Sequence, residues 1–193
     1  MSQIFIQLAT ILVAITIHEF AHAWAAYKLG DSTAKTAGRL SLNPLKHLDP
    51  IGAVLFLFTG FGWAKPVPLN PSNFEDPQKD SALTALAGPS SNLLLAIAAA
   101  MLLRVTPLPY FIGIMLIALN VQFAIFNLVP MPPLDGFNFV NGLLPRSFIP
   151  YWQELRKYQL ILLLLLFIPL GNQSIVSLLV GRPADLLINL LLP

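Results

Sequence analysis

The chain has 193 residues, 56% of them apolar and 10% charged, against roughly 45–50% and 25% in an average soluble domain. That imbalance points to a membrane protein. Eleven Lys and Arg against nine Asp and Glu leave a net charge of +2, too little to cover a nucleic-acid backbone, so no nucleic-acid partner is expected. With no cysteine there is no disulfide, thiolate nucleophile or Cys-ligated metal, and any metal must be held by His and carboxylates.

The first long apolar segment runs from about Ile4 to Tyr27 and carries no charge up to Ile17, long enough to span a bilayer. A signal peptide is the rival reading, but Met-Ser-Gln lacks the basic start such a peptide carries. From Lys28 to Asp80 the composition turns charged and rich in Gly and Pro. Within it Ile51 to Phe58 is apolar but too short to span, so it reads as a re-entrant or interfacial segment of strand-like character. A second span is expected over about Leu83–Leu103 and a third over about Tyr110–Val129, stopped by Pro130, Pro132 and Pro133, which lack the N–H a helix needs. A fourth is expected over about Leu155–Leu170. The last apolar stretch, Ile175 to Leu192, is interrupted by Gly181, Arg182, Pro183 and Asp185 and reads either as a span or as an interfacial helix.

The expected fold is therefore an all-α polytopic membrane protein with about four to five transmembrane helices and a short re-entrant β-like segment in the first cytoplasmic loop. It forms one domain over 1–193, with a core at about 4–145 and C-terminal helices at about 150–193. Short cytoplasmic loops accumulate Lys and Arg. The region 28–81 holds Lys28, Lys35, Arg39, Lys46, Lys65 and Lys79, and the region 130–158 holds Arg146, Arg156 and Lys157, whereas 104–109 has only Arg104. This distribution places the N-terminus outside and both large loops in the cytoplasm of a multi-pass cell-membrane protein.

His18-Glu19-Phe20-Ala21-His22 is an H-E-x-x-H motif toward the cytoplasmic half of the first span. On a helix, residues i and i+4 share a face, so both imidazoles can reach one zinc ion while Glu19 leans over the same site. A random ordering of this composition contains the motif in roughly one chain per two thousand, and ionisable groups within a span are costly and usually functional. A catalytic zinc takes three protein ligands. Asp135, in Asn127-Leu-Val-Pro-Met-Pro-Pro-Leu-Asp-Gly136, is the best third candidate, with Gly136 expected to relieve crowding beside the carboxylate. Asp-Gly is also a common turn signal, so a helix cap or turn is its other reading.

HEFAH (His18 to His22) together with NLVPMPPLDG (Asn127 to Gly136) resembles the site-2 protease family of intramembrane zinc metalloproteases. AGPSSN (Ala87 to Asn92) and GRLSLNPLKHLDPIG (Gly38 to Gly52) are similar to further family patterns, and the resemblance reaches about residue 145. It implies Zn2+ bound by His18, His22 and Asp135, with Glu19 as general base, in a compact form with no room for PDZ or CBS modules. It also implies that Phe61-Gly-Trp-Ala-Lys-Pro66 is like the re-entrant strand that pairs with an extended substrate. Gly60, Phe61 and Gly62 would then contact substrate, and the alternative is a Gly-rich turn anchored by Trp63. Asn92 and Asn127 match family asparagines that would bind the substrate backbone, or would instead join two helices. His47 reads as a loop histidine, although the family keeps a His in that pattern.

The function implied is a zinc metalloendopeptidase that cuts within or near transmembrane segments of membrane proteins, with those segments and the lipid bilayer as its partners and homo-oligomerisation left open. The alternative is a zinc or proton-coupled transporter using the same His/Asp site, which would not need Glu19 as a base and would more often show repeated halves.

Overall fold

The computed structural model describes residues 2–52, 54, 62–107 and 109–192. Three of its helices are long and apolar enough to cross a membrane: α1 (Ser2–Lys28), α3 (Pro77–Val105) and α4 (Tyr110–Leu128). Their ends follow from local chemistry. Past the end of α1, Gly30 takes φ +106°, Asp31 N–H bonds Ala26 O at 2.9 Å and Gly30 N–H bonds Tyr27 O at 3.3 Å, the Schellman arrangement that satisfies the last carbonyls. The Asp76 carboxylate caps α3 by accepting from Gln78 N and Lys79 N, with Pro77 in the first turn where its missing N–H costs nothing. Pro130 follows the end of α4.

These helices meet through small residues. Ala14, Ala23 and Ala26 of α1 are buried, as are Ala82, Ala85, Gly88 and Ala96 of α3. Small side chains let helix backbones approach closely, so packing rather than hydrophobic exclusion holds helices together in lipid. A short helix α2 (Thr33–Thr36) and a tight turn at Pro44–Lys46 shape the loop after α1. After α4 comes α5 (Asp135–Leu143), which packs beside α3; there Gly142 leaves no room for a Cβ against Ala82.

The C-terminal third departs from the expected fourth span. Residues 155–170 do not form one helix: α6 (Ile149–Glu154) runs into a tighter turn over Leu155–Tyr158 and then α7 (Gln159–Leu165). Pro169 and Leu170 form β1, hairpinned to β2 (Gln173–Ser174) around Gly171 at φ +63°. Leucine content foretold the apolar character of this run, but Pro169 and Gly171 end the helix. The last stretch is helical with a wide π-type turn at Ser177–Gly181 leading into α8 (Arg182–Leu191), where Pro183 cannot supply its helical N–H. Val180 packs on Val129 and Leu134, while Ala184 joins Ala96, Ala99, Ala100, Ile117 and Val121 in a buried cluster. The last helix thus runs antiparallel along α4.

The described residues do not form the expected re-entrant strand: Ile51 and Gly52 are helical, and the strand-like pairing is one isolated bridge. Ala64 makes an antiparallel bridge with Leu48, and Lys65 N–H donates to His47 O at 2.9 Å. Gly60, Phe61 and most of Ile51–Phe58 lie outside the described residues.

Candidate active site

His18 and His22 stack one turn apart on α1, their ring centroids 4.6 Å apart and nearly perpendicular. Both are buried. α5 brings Asp135 to them: Asp135 Oδ2 lies 3.0 Å from His18 Nε2 and 3.1 Å from His22 Nε2, and the two Nε2 atoms are 3.1 Å apart. Asp135 is the first residue of its helix, so the turn reading describes its place in the chain, yet its carboxylate turns to the histidines. Pro130 to Pro133, with a cis peptide between Pro132 and Pro133, carry the chain back from α4 toward α1. Gly136 serves a different contact from the one expected: a Cβ there would collide with the carbonyl oxygens of Leu128 and Val129, so the glycine lets α5 start against the end of α4.

The hydrogen bonds behind the rings decide what the site fits. His22 Nδ1 is 2.7 Å from Thr84 O, and a carbonyl only accepts, so the proton sits on Nδ1. Asn92 Nδ2 donates to Ala14 O at 3.1 Å and to Asn120 Oδ1 at 2.8 Å, which leaves Asn92 Oδ1 to accept from His18 Nδ1 at 2.6 Å. In their neutral form both rings present Nε2 lone pairs toward the same carboxylate oxygen. Three possible ligand atoms thus lie within 3.1 Å of one another. A divalent cation suits that donor set, with each histidine oriented by its second nitrogen.

Asn92 is fully buried and its amide is engaged on three sides, so it stands behind His18 rather than facing a substrate. Asn120, in the middle of α4, extends the same network by donating to Leu116 O at 2.8 Å. Asn127 lines the cavity in front of the histidines and donates to Phe123 O at 2.9 Å. Gly62 lines it as well; Gly60 and Phe61 lie outside the described residues.

That cavity has a volume of about 840 Å³ and is walled by His18, Glu19, His22 and Asp135, by residues of the 62–67 segment including Trp63 and Ala64, and by Phe123, Phe126 and Asn127 of α4. Gln153 and Arg156 close its rim, where Phe137 stacks on Trp152 at 5.0 Å and Arg156 reaches Asn138 Oδ1 at 2.7 Å. Glu19, 8% exposed, faces this space beside the metal-binding trio.

Residues that the motifs did not single out complete the site. Gly88, inside AGPSSN, sits where α3 crosses the histidines: a Cβ there would lie 2.7 Å from His18 Cε1 and closer still to His22 Nε2. Arg39, read from sequence as a loop charge within GRLSLNPLKHLDPIG and given no role of its own, is 4% exposed. Its Nη2 stands 4.0 Å from Glu19 Oε2. Burial pushes its guanidinium below the ordinary arginine value, against the pull of Glu19. His47 is fully buried, donating from Nε2 to Ser41 O at 2.7 Å, so it organises the loop. Asn120 carried a legible signal, a carboxamide in the middle of an apolar span; Gly88 and Arg39 carried none that separates them from their neighbours.

Proteins similar in sequence carry zinc-metalloprotease names. The chain is 44% identical over 177 residues to "Putative zinc metalloprotease YwhC" of Bacillus subtilis, covering 84% of this chain and 80% of that protein. It is 32% identical over 136 residues to "Putative zinc metalloprotease Rip2" of Mycolicibacterium smegmatis, covering 65% and 52%, and 28% identical over 169 residues to Rip2 of Mycobacterium tuberculosis strain H37Rv, covering 81% and 64%. No family model and no solved structure matches the chain. Identity at this level over most of the YwhC protein, together with a His18, His22 and Asp135 cluster suited to zinc, makes the chain a member of the site-2 protease family of zinc metalloproteases.

Proposed function

We propose that this protein hydrolyses peptide bonds within or near transmembrane segments of other membrane proteins. The observation that carries the reading is the placement of the H-E-x-x-H pair: it sits on a helix long enough to cross a membrane, completed by Asp135 and opening into a cavity among such helices. His18, His22 and Asp135 would hold zinc, whose chemistry when bound is to polarise the scissile carbonyl and acidify water. Glu19 takes a proton from the attacking water as its oxygen adds to the carbonyl carbon, and delivers that proton to the amine nitrogen as the C–N bond breaks. The burial of Glu19 keeps competing water from that proton transfer.

A substrate helix hides its carbonyls in i to i+4 bonds and must unwind before attack. The 62–67 segment offers replacement bonds. Ala64 and Leu48 are the non-hydrogen-bonded members of their bridge, since Lys65 N–H takes His47 O, so the Ala64 N–H and C=O point away from residues 47–49. An extended substrate could pair along that edge, with Asn127 across the cavity from it. Cleavage should therefore favour segments carrying helix breakers. The basic residues of 28–81 and 130–158 support an orientation with the N-terminus outside and the site open to the cytoplasm.

The transporter reading uses the same His/Asp trio but gives no task to Glu19 or to the 62–67 edge. Mass-spectrometric mapping of cleavage in two single-span substrates, one all-leucine and one with a central Gly-Pro pair, tests the proposal. Cuts next to the Gly-Pro pair are expected, and cuts confined to soluble loops would refute it.

A further inference from the structure

Arg39 is the one described loop cation whose guanidinium is buried against the site. Nη1 donates to Pro66 O at 3.0 Å and Nη2 donates to Lys65 O; Nη2 also faces His47 Nδ1 at 3.5 Å and Glu19 Oε2 at 4.0 Å. Nε is buried with no partner among the described residues. A buried guanidinium is costly unless paired, and its planar fork suits adjacent acceptors. Two consecutive carbonyls occupy the fork, and Glu19 is the carboxylate within reach.

The two carbonyls belong to the extended segment whose preceding residues, Gly62 to Ala64, wall the cavity. Lys65 is already held from its N–H by His47 O, and Arg39 fixes its C=O. The same cation lies beyond hydrogen-bond length from Glu19 but close enough to attract its carboxylate. One side chain therefore touches both the wall against which a substrate would lie and the group that would move its protons.

We propose that Arg39 is a positioning residue: its guanidinium anchors the 65–66 end of the 62–67 segment and holds the Glu19 carboxylate in its working orientation. This rests on the protease reading for its kinetic consequence, while the anchoring of the segment stands apart from it. A purely structural clamp would change substrate binding alone; a positioning residue for the base lowers turnover.

The test compares wild type, Arg39→Gln and Arg39→Lys, each zinc-quantified in detergent, by hydrogen exchange of the peptide covering residues 62–67 and by kcat and KM on one single-span substrate. Arg39→Gln is expected to speed exchange in 62–67 at least tenfold, to keep wild-type zinc content, and to lower kcat at least tenfold with KM within threefold. Arg39→Lys, which keeps the charge but not the fork, should regain most of kcat while exchange stays fast. Unchanged exchange in Arg39→Gln overturns the anchor, and faster exchange with wild-type kcat, or a loss wholly in KM, overturns the positioning of Glu19. Should wild type and Glu19→Gln prove equally unable to cut any membrane substrate, the protease reading fails together with the Glu19 half of this proposal, and exchange decides the anchor alone.

Discussion

Asn92 Oδ1 accepts the Nδ1 proton of His18 at 2.6 Å, joining α1 to α3 directly behind the metal-binding face. Its Nδ2 is held by Ala14 O and Asn120 Oδ1, so the amide has one orientation and His18 one tautomer. Partners of this kind change metal affinity by about 10- to 100-fold when removed. Asn92→Ala should weaken zinc binding by that factor, read by competition with a chromogenic chelator, and should destabilise the fold by about 1–3 kcal/mol because buried groups lose their partners. Wild-type zinc affinity in this variant would show that His18 needs no such orientation.

Gly88 makes a second prediction about the same face. A Cβ at this position meets both imidazoles, so Gly88→Ala should push His18 and His22 apart and yield protein that is helical by circular dichroism but carries well under one zinc per chain by elemental analysis. Full zinc content in Gly88→Ala would mean that α3 can retreat from α1 without cost.

His18, Glu19 and His22 were legible because their information is local: i to i+4 spacing puts two imidazoles on one face whatever surrounds them; Asp135 was reached only as the best third carboxylate, with a cap or turn as its other reading. Asn92 stood out in the sequence, but pattern alone could not say whether its amide faced the cavity or the back of His18; the contact depends on α1 and α3 crossing at Gly88. Arg39 was hidden for a similar reason, since its burial arises from the return of 65–66 onto the loop. The stretch from about Leu155 to Leu170 reads as a span on hydropathy, yet Pro169 and the turn at Gly171 cut the helix at Leu165. Hydropathy measures where side chains are stable and says little about where a backbone ends.

Asp31 is expected to make the stability of the loop depend on pH. It is fully buried, and burial works against its charge, but hydrogen bonds from Thr33, Asn70 and Asn73 outweigh this and hold its carboxyl below the ordinary value. A depressed carboxyl contributes stability that is complete above its unfolded value, about 3.9, and is lost as pH falls through the lower folded value. Asp31→Asn should therefore melt below wild type at about pH 6, with the gap closing as pH drops toward about 3. Thermal unfolding in detergent across that range checks it; a gap that is constant with pH would place the effect elsewhere.

Gly136 lets α5 begin against the carbonyls of Leu128 and Val129. Gly136→Ala should shift the start of α5 and carry Asp135 away from the histidines, lowering zinc affinity at least tenfold, an effect of the size seen when ligand support is lost. Zinc titration compared with that of Asp135→Ala reads the result: similar losses are expected, and wild-type affinity in Gly136→Ala would argue that the backbone there yields locally.

The central claim, proteolysis within the membrane by Glu19 at a site held by His18, His22 and Asp135, is tested most directly with purified, zinc-quantified protein in liposomes carrying single-span substrates. Wild type should hold about one zinc per chain and cut within the span, Glu19→Gln should keep its zinc and cut nothing, and Asp135→Ala should lose zinc affinity. Cleavage by Glu19→Gln at the wild-type rate, or zinc flux that persists in Glu19→Gln while no substrate is cut by any variant, would contradict the account.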